Sequence, residues 1–217
     1  MERQKGQDSL RDLRQGSQQE SQQDSELDSQ RTLEERALIE RAGKGDRAAQ
    51  ETLVMRYERR VYAMVLGMVR NPEDARDLVQ ETFVKALSNL HRFDFSARFP
   101  AWLMRIAANG TKDFLRRRGR EDKIFAYETD DWSVEDLGTA KGKAEAALSA
   151  RIDTGVVERC MGMLDPRYAT VLTLRYRDGY AYKEISEILS IPMGTVKVLL
   201  HRGRLQLKRQ VLKEVRG

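Results

Sequence analysis

Residues 181–208 constrain this chain more than any other stretch. Tyr182–Leu189 places Ile185, Ile188 and Leu189 on one face of a short helix. Ser190-Ile191-Pro192 breaks it, and a second helix starts near Pro192. Helix, tight break and helix at this spacing predict a helix-turn-helix. The second helix carries two stripes. Val196, Leu200, Gly203 and Leu207 recur at steps of four, three and four and share one face, which should pack inward. Lys197, His201, Arg204 and Lys208 follow the same steps one residue later, about 100° around the helix. A run of bases is ordinarily a solvated face. On the second helix of such a motif it is a surface that can enter a major groove, with Arg202 and Arg209 beside it for phosphates.

The rest of the 217-residue chain agrees with an all-α reading. It has only four prolines, 40% hydrophobic and 34% charged residues, and a formal charge of +5. Helix formers dominate, and a mildly basic balance permits a polyanionic partner without establishing one. Cys160 is the single cysteine, so no internal disulfide is possible. A buried core thiol in a reducing compartment is the expectation. The N-terminus lacks the apolar core of a signal peptide, and no stretch approaches the roughly 20 apolar residues of a membrane span. A cytoplasmic protein without direct membrane insertion is expected.

Composition divides the chain into four parts. Residues 1–32 are rich in Gln, Ser, Asp and Arg and read as a disordered extension. Residues 33–120 are strongly helical. Asn71-Pro72-Glu73-Asp74 is a helix start with a cap, a first-turn proline and first-turn acids. Ala75, Leu78, Val79, Thr82, Phe83, Ala86, Leu87 and Leu90 then form one apolar face. After a loop around Phe93–Arg98, another helix runs from near Pro100 with Trp102, Leu103, Ile106 and Ala107 inward. Residues 121–144 form an acidic linker: seven of the sixteen residues at 121–136 are acids, against one base, Lys123. Residues 145–217 form a second helical domain.

A second basic cluster closes the first domain. Seven bases lie between Arg98 and Arg120 against one acid, Asp113, with Phe93, Phe95, Phe99 and Trp102 at its start. Bases near aromatics suit DNA with exposed nucleobases. Aromatics at helical spacing are more often core, and Phe99 and Trp102 are assigned there, leaving Phe93 and Phe95 open. Nothing nominates a catalytic site. Two histidines and no cysteine pair give no metal-ligand pattern, and there is no GxxxxGK phosphate loop. No cofactor, metal or small-molecule substrate is expected, and the chain is not read as an enzyme.

Taken together the motifs resemble those of sigma-70-family RNA polymerase sigma factors. Asp77-Leu78-Val79-Gln80-Glu81-Thr82-Phe83 resembles the polymerase-binding motif of region 2. Phe99-Pro100-Ala101-Trp102-Leu103-Met104-Arg105-Ile106-Ala107-Ala108-Asn109 resembles the promoter-melting segment. Leu164-Asp165-Pro166-Arg167, Tyr182-Lys183-Glu184-Ile185 and Gly194-Thr195-Val196-Lys197 resemble region 4. The order, the short length and the lack of a third domain are similar to the extracytoplasmic-function group. Two places depart from the pattern: Phe95 stands where a glycine is usual, and Val198 and Leu199 where serine and arginine are common.

The resemblance implies a division of labour. Asp77, Leu78, Val79, Gln80, Glu81 and Phe83 would bind core RNA polymerase, with Asp77, Gln80, Glu81 and Val84 on the face opposite the apolar stripe. Phe93, Asp94, Phe95, Ser96, Arg98, Arg105, Asn109, Lys112, Arg116 and Arg117 would engage the −10 region of promoter DNA. Met193, Gly194, Thr195, Lys197, Val198, His201, Arg202, Arg204 and Lys208 would engage the −35 region. An anti-sigma factor would be a further partner, clamping both domains and controlling a stress or envelope-response regulon. A free helix-turn-helix repressor would explain residues 181–208 but not the 77–83 motif or the acidic linker. A nucleic-acid enzyme with a helical DNA-binding tail has no metal or nucleophile set behind it.

Overall fold

A computed structural model describes residues 32–119 and 154–216. The expected extension at 1–32 lies outside the described residues except for Thr32, which starts a helix, and the acidic linker at 121–144 and the stretch up to 153 lie outside them too. The described residues are helical, with no strand among them.

Helix α1 (residues 32–43) turns through Gly45 at φ 91° into α2 (Arg47–Val69). Asp46 caps α2 by accepting the Ala49 N–H at 3.1 Å. This bond and the neighbouring Arg41 guanidinium hold the Asp46 carboxyl below its ordinary value. Arg70 ends α2 in the left-handed region, φ 60°, with its N–H on the Leu66 carbonyl at 2.9 Å. Asn71 then opens α3 (Pro72–Ser88) as the sequence predicts, its side chain accepting the Glu73 and Asp74 N–H groups at 2.8 and 3.2 Å.

A short 3-10 turn (Leu90–Arg92) leads to α4 (Phe99–Arg117). The buried face of α4 is Leu103, Met104, Ala107, Ala108, Thr111 and Leu115. The expected inner residues Trp102 and Ile106 pack against this core from its edge and are only half-buried. The helix sits between α2 and α3 on one side and the second domain on the other, so its centre is set by two neighbours. Arg118 closes this domain with a 2.8 Å ion pair to Asp74 at the start of α3.

The second domain comprises α5 (Thr154–Met163), α6 (Pro166–Leu172), α7 (Tyr182–Leu189) and α8 (Met193–Arg216). Asp165 caps α6 through the Arg167 N–H at 2.9 Å, and a π-helical turn (Thr173–Arg177) extends it. Glu184 reaches back to the Ala181 N–H at 2.8 Å and starts α7. Ser190, at φ 50°, stops it. Gly203 lets α8 approach α6 closely, since a Cβ there would lie 3.1 Å from the Tyr168 Cβ and 3.2 Å from the Leu172 Cδ1. Cys160 is buried, as expected.

The two domains pack against each other. Helix α6 lies on α2 and α7 on α4, and one continuous apolar cluster runs from Ile39 to Leu200. Arg98 pairs with Glu184 at 2.7 Å. The Lys112 ammonium donates to the Leu189 carbonyl at the end of α7. The Arg70 guanidinium donates to the Gly162 and Leu164 carbonyls. Burial lowers its pKa, and Asp165 partly opposes that.

Candidate nucleic-acid and protein interfaces

Helix α3 sorts its residues by helical period. Ala75, Leu78, Val79, Thr82, Phe83 and Ala86 face the core, and the Thr82 hydroxyl is satisfied by the Leu78 carbonyl at 2.7 Å. Asp77, Gln80, Glu81 and Val84 face out, and with Lys85 they line a shallow groove. Val84 is 66% exposed, a large apolar side chain among acids and an amide. The motif therefore divides: Asp77, Gln80 and Glu81 can touch a partner. Leu78, Val79 and Phe83, expected in the same contact set, are 4%, 4% and 6% exposed and can only hold the helix in place.

The 93–117 segment divides too. Phe93 is 7% exposed, wedged edge-on against Phe99 (centroids 5.5 Å apart) and beside Trp102 (5.3 Å). Its expected contact with DNA is corrected: the ring belongs to the core, because three aromatic neighbours enclose it. Phe95 is 39% exposed, touches Phe93 edge-on at 5.2 Å, and carries the Arg36 guanidinium 4.8 Å above its ring. Asp94 accepts from the Ser96 hydroxyl at 2.6 Å and the Ser96 N–H at 2.9 Å. Those bonds keep the Asp94 carboxyl below its usual range, so it stays anionic and shapes the loop rather than meeting a phosphate. Arg105, Asn109, Arg116 and Arg117 are exposed along α4. Arg116 pairs with Asp113 at 3.0 Å, while Arg98 and Lys112 are engaged by α7.

Helix α8 keeps its two predicted stripes apart. Val196 and Leu200 are 0% and 1% exposed and Gly203 is buried, with Leu207 packed on the same core. Met193, Gly194, Lys197, Arg204 and Lys208 are exposed, and Thr195, Val198, His201 and Arg202 are partly so. Leu199, one of the departures from the family pattern, is 7% exposed and joins the core. Only residue 198 of that pair remains available to a ligand. The sequence reading missed Glu184 and Leu189 as partners of the first domain and Arg70 as a partner of the second. No local period could reveal them, because they lie 86, 77 and 92 or more residues from what they bind.

Family models match both helical domains of the chain. The family model for Sigma-70 region 2 matches residues 53–121, and that for Sigma-70, region 4 matches residues 154–207. The chain is 33% identical over 177 residues to the ECF RNA polymerase sigma factor SigW of Bacillus subtilis, covering 80% of this chain and 94% of that one. It is 31% identical over 186 residues to the ECF RNA polymerase sigma-E factor of Haemophilus influenzae, covering 82% and 96%. Among solved structures it is similar to CnrH in complex with the cytosolic domain of CnrY, with TM-score 0.53, 26% identity and coverage of 80% and 94%. With helices α2–α4 matched to region 2 and α5–α8 to region 4, the chain belongs to the extracytoplasmic-function group of the sigma-70 family of RNA polymerase sigma factors.

Proposed function

We propose that this sigma factor docks core RNA polymerase through Asp77, Gln80 and Glu81 of α3 and reads promoter DNA through two further surfaces. The −35 surface is Met193, Gly194, Thr195, Lys197, Val198, His201, Arg202, Arg204 and Lys208. The −10 surface is Phe95 with Arg98, Arg105, Asn109, Lys112, Arg116 and Arg117. One observation carries the reading: the chain presents two surfaces of opposite character, an acid-and-amide strip on α3 and a basic stripe on α8, each backed by a buried apolar face. The acidic strip suits a protein partner and repels DNA, whereas the basic stripe suits the groove and its phosphates.

In this reading residues 33–120 and 145–217 are the two functional domains, 121–144 tether them, and 1–32 precede them. The chain works in the cytoplasm and carries no reaction of its own; catalysis belongs to the polymerase. An anti-sigma factor is the third partner, and the regulon is one of stress or envelope response. No helix among the described residues is long and apolar enough to cross a membrane.

Run-off transcription with purified core polymerase tests the reading. Discrete promoter-dependent transcripts should appear only when the chain is added. A sequence-specific gel shift by the chain alone, with no transcription in the presence of core enzyme, would instead identify a free-standing repressor.

A further inference from the structure

The reading face of α8 is chemically uneven over its first two turns. Val196, Leu199 and Leu200 turn into the core. Met193, Gly194 and Lys197 are exposed, and Thr195 and Val198 are partly so. Of these side chains only Thr195 and Lys197 can donate a hydrogen bond. Val198 offers methyl groups and nothing else. It lies beside Lys197, about 100° around the helix, and one turn after Gly194.

Gly194 keeps the approach to Val198 clear. A helical side chain leans toward the N-terminus and lies over the turn before its own Cα. For Val198 that turn holds Gly194, where even a Cβ would meet nothing within 4 Å. No side chain at position 194 therefore stands between the Val198 methyls and a ligand. The branched side chain is stiff, so little rotamer freedom is lost when a ligand covers it.

The surroundings limit what can cover it. Lys197 lies beside Val198, and His201 and Arg202 follow one turn later. Such bases draw a phosphate backbone, and the first residues of a recognition helix meet base edges in the major groove. Those edges carry donors and acceptors, and their one apolar group is the C5-methyl of thymine. Valine against a polar edge would leave a base atom dehydrated and unpaired. Valine against the thymine methyl buries apolar surface on both sides.

Resting on the sigma-factor reading above, we propose that Val198 is a specificity-determining residue that reads a thymine of the −35 element through its C5-methyl group. The contact selects thymine over the other bases at one position without a hydrogen bond. Leu199 is 7% exposed and shares none of this role.

Removing the methyl from either partner tests it. Holoenzyme assembled from the full chain and core polymerase is selected on promoters with a randomised −35 element. Each thymine of the selected element, on either strand, is then replaced by deoxyuridine, which lacks only the methyl. At one position the wild-type holoenzyme should bind the deoxyuridine promoter about fourfold more weakly, as expected for one lost apolar carbon. Holoenzyme carrying Val198→Ala should bind the thymine and deoxyuridine promoters alike. The two proteins thus differ on thymine and converge on deoxyuridine, a coupling that a purely structural role for Val198 would not give. Alanine favours the helix more than valine does, so the variant keeps α8. Val198→Thr, which retains one methyl, should keep part of the discrimination.

A selected element without thymine would overturn the inference. So would a wild-type holoenzyme indifferent to deoxyuridine at every position, or a Val198→Ala holoenzyme that discriminates as strongly as wild type. Failure of the chain to direct core polymerase to any promoter in the library would overturn the sigma-factor reading beneath it.

Discussion

The two basic clusters of this protein look alike as strings of residues and differ as surfaces. The one on α8 stands clear: Val196 and Leu200 anchor the helix while Lys197, Arg204 and Lys208 project to solvent. The one at 93–117 is partly absorbed. Phe93 enters the core, Lys112 is half-buried against the end of α7, Arg98 stays exposed but is paired with Glu184, and Phe95, Arg105, Asn109, Arg116 and Arg117 remain outside. A basic stripe is presented when its helix has one packed side, as α8 does. It is consumed when the helix is packed on two, as α4 is between its own domain and α7.

The largest effect should separate the two phenylalanines of the loop. Phe93→Ala removes a buried ring from an aromatic cluster and should cost about 3–5 kcal/mol of stability in urea unfolding. Phe95→Ala should cost far less stability yet weaken formation of the open promoter complex, read by permanganate footprinting of unpaired thymines. Equal stability losses in the two variants would erase the distinction between the rings.

Next come the recognition stripe and the polymerase strip. Lys197→Ala or His201→Ala should each cost roughly 1–3 kcal/mol of promoter affinity within the polymerase complex, confined to the −35 element and measurable on a randomised −35 library. If both leave preference and affinity intact, the face of α8 that meets DNA is misassigned. Glu81→Lys should weaken binding to core polymerase about tenfold, ~1.4 kcal/mol, without changing the melting temperature. Its pairing with Lys85, at 3.7 Å between exposed side chains, adds little to stability. Unchanged affinity for core enzyme would remove α3 from the docking surface.

The smallest effect concerns Asp178, which follows the π-helical turn. Its side chain is buried, one oxygen has no hydrogen-bond partner, and burial pushes its pKa up, against the pull of Arg177 and Arg60. A carboxyl whose pKa is raised by folding stabilises the fold fully only below its ordinary pKa of 3.8. That contribution is lost as pH rises through the raised value. Asp178→Asn should therefore raise the melting temperature slightly at neutral pH, with the gain shrinking toward pH 4. A gain that grows on acidification would contradict the sign.

Much of the architecture follows from local chemistry. The Asn71 cap, the Ser190 break, the α3 periodicity and the two stripes of α8 depend on contacts within a few residues. Each is determined by spacing and backbone preference, so the amino-acid order suffices to predict it. The inward turn of Phe93, the half-burial of Trp102 and the capture of Lys112 by the end of α7 were decided only in three dimensions. A helix's period says which residues share a face; what covers that face depends on elements tens of residues away. For this chain the order of residues determined an all-α sigma factor with an exposed acid-and-amide strip on α3 and an exposed basic stripe on α8. Tertiary packing decided that its two domains share one seam, because the groups that meet there, such as Arg98 and Glu184, are brought together only by how whole helices stack.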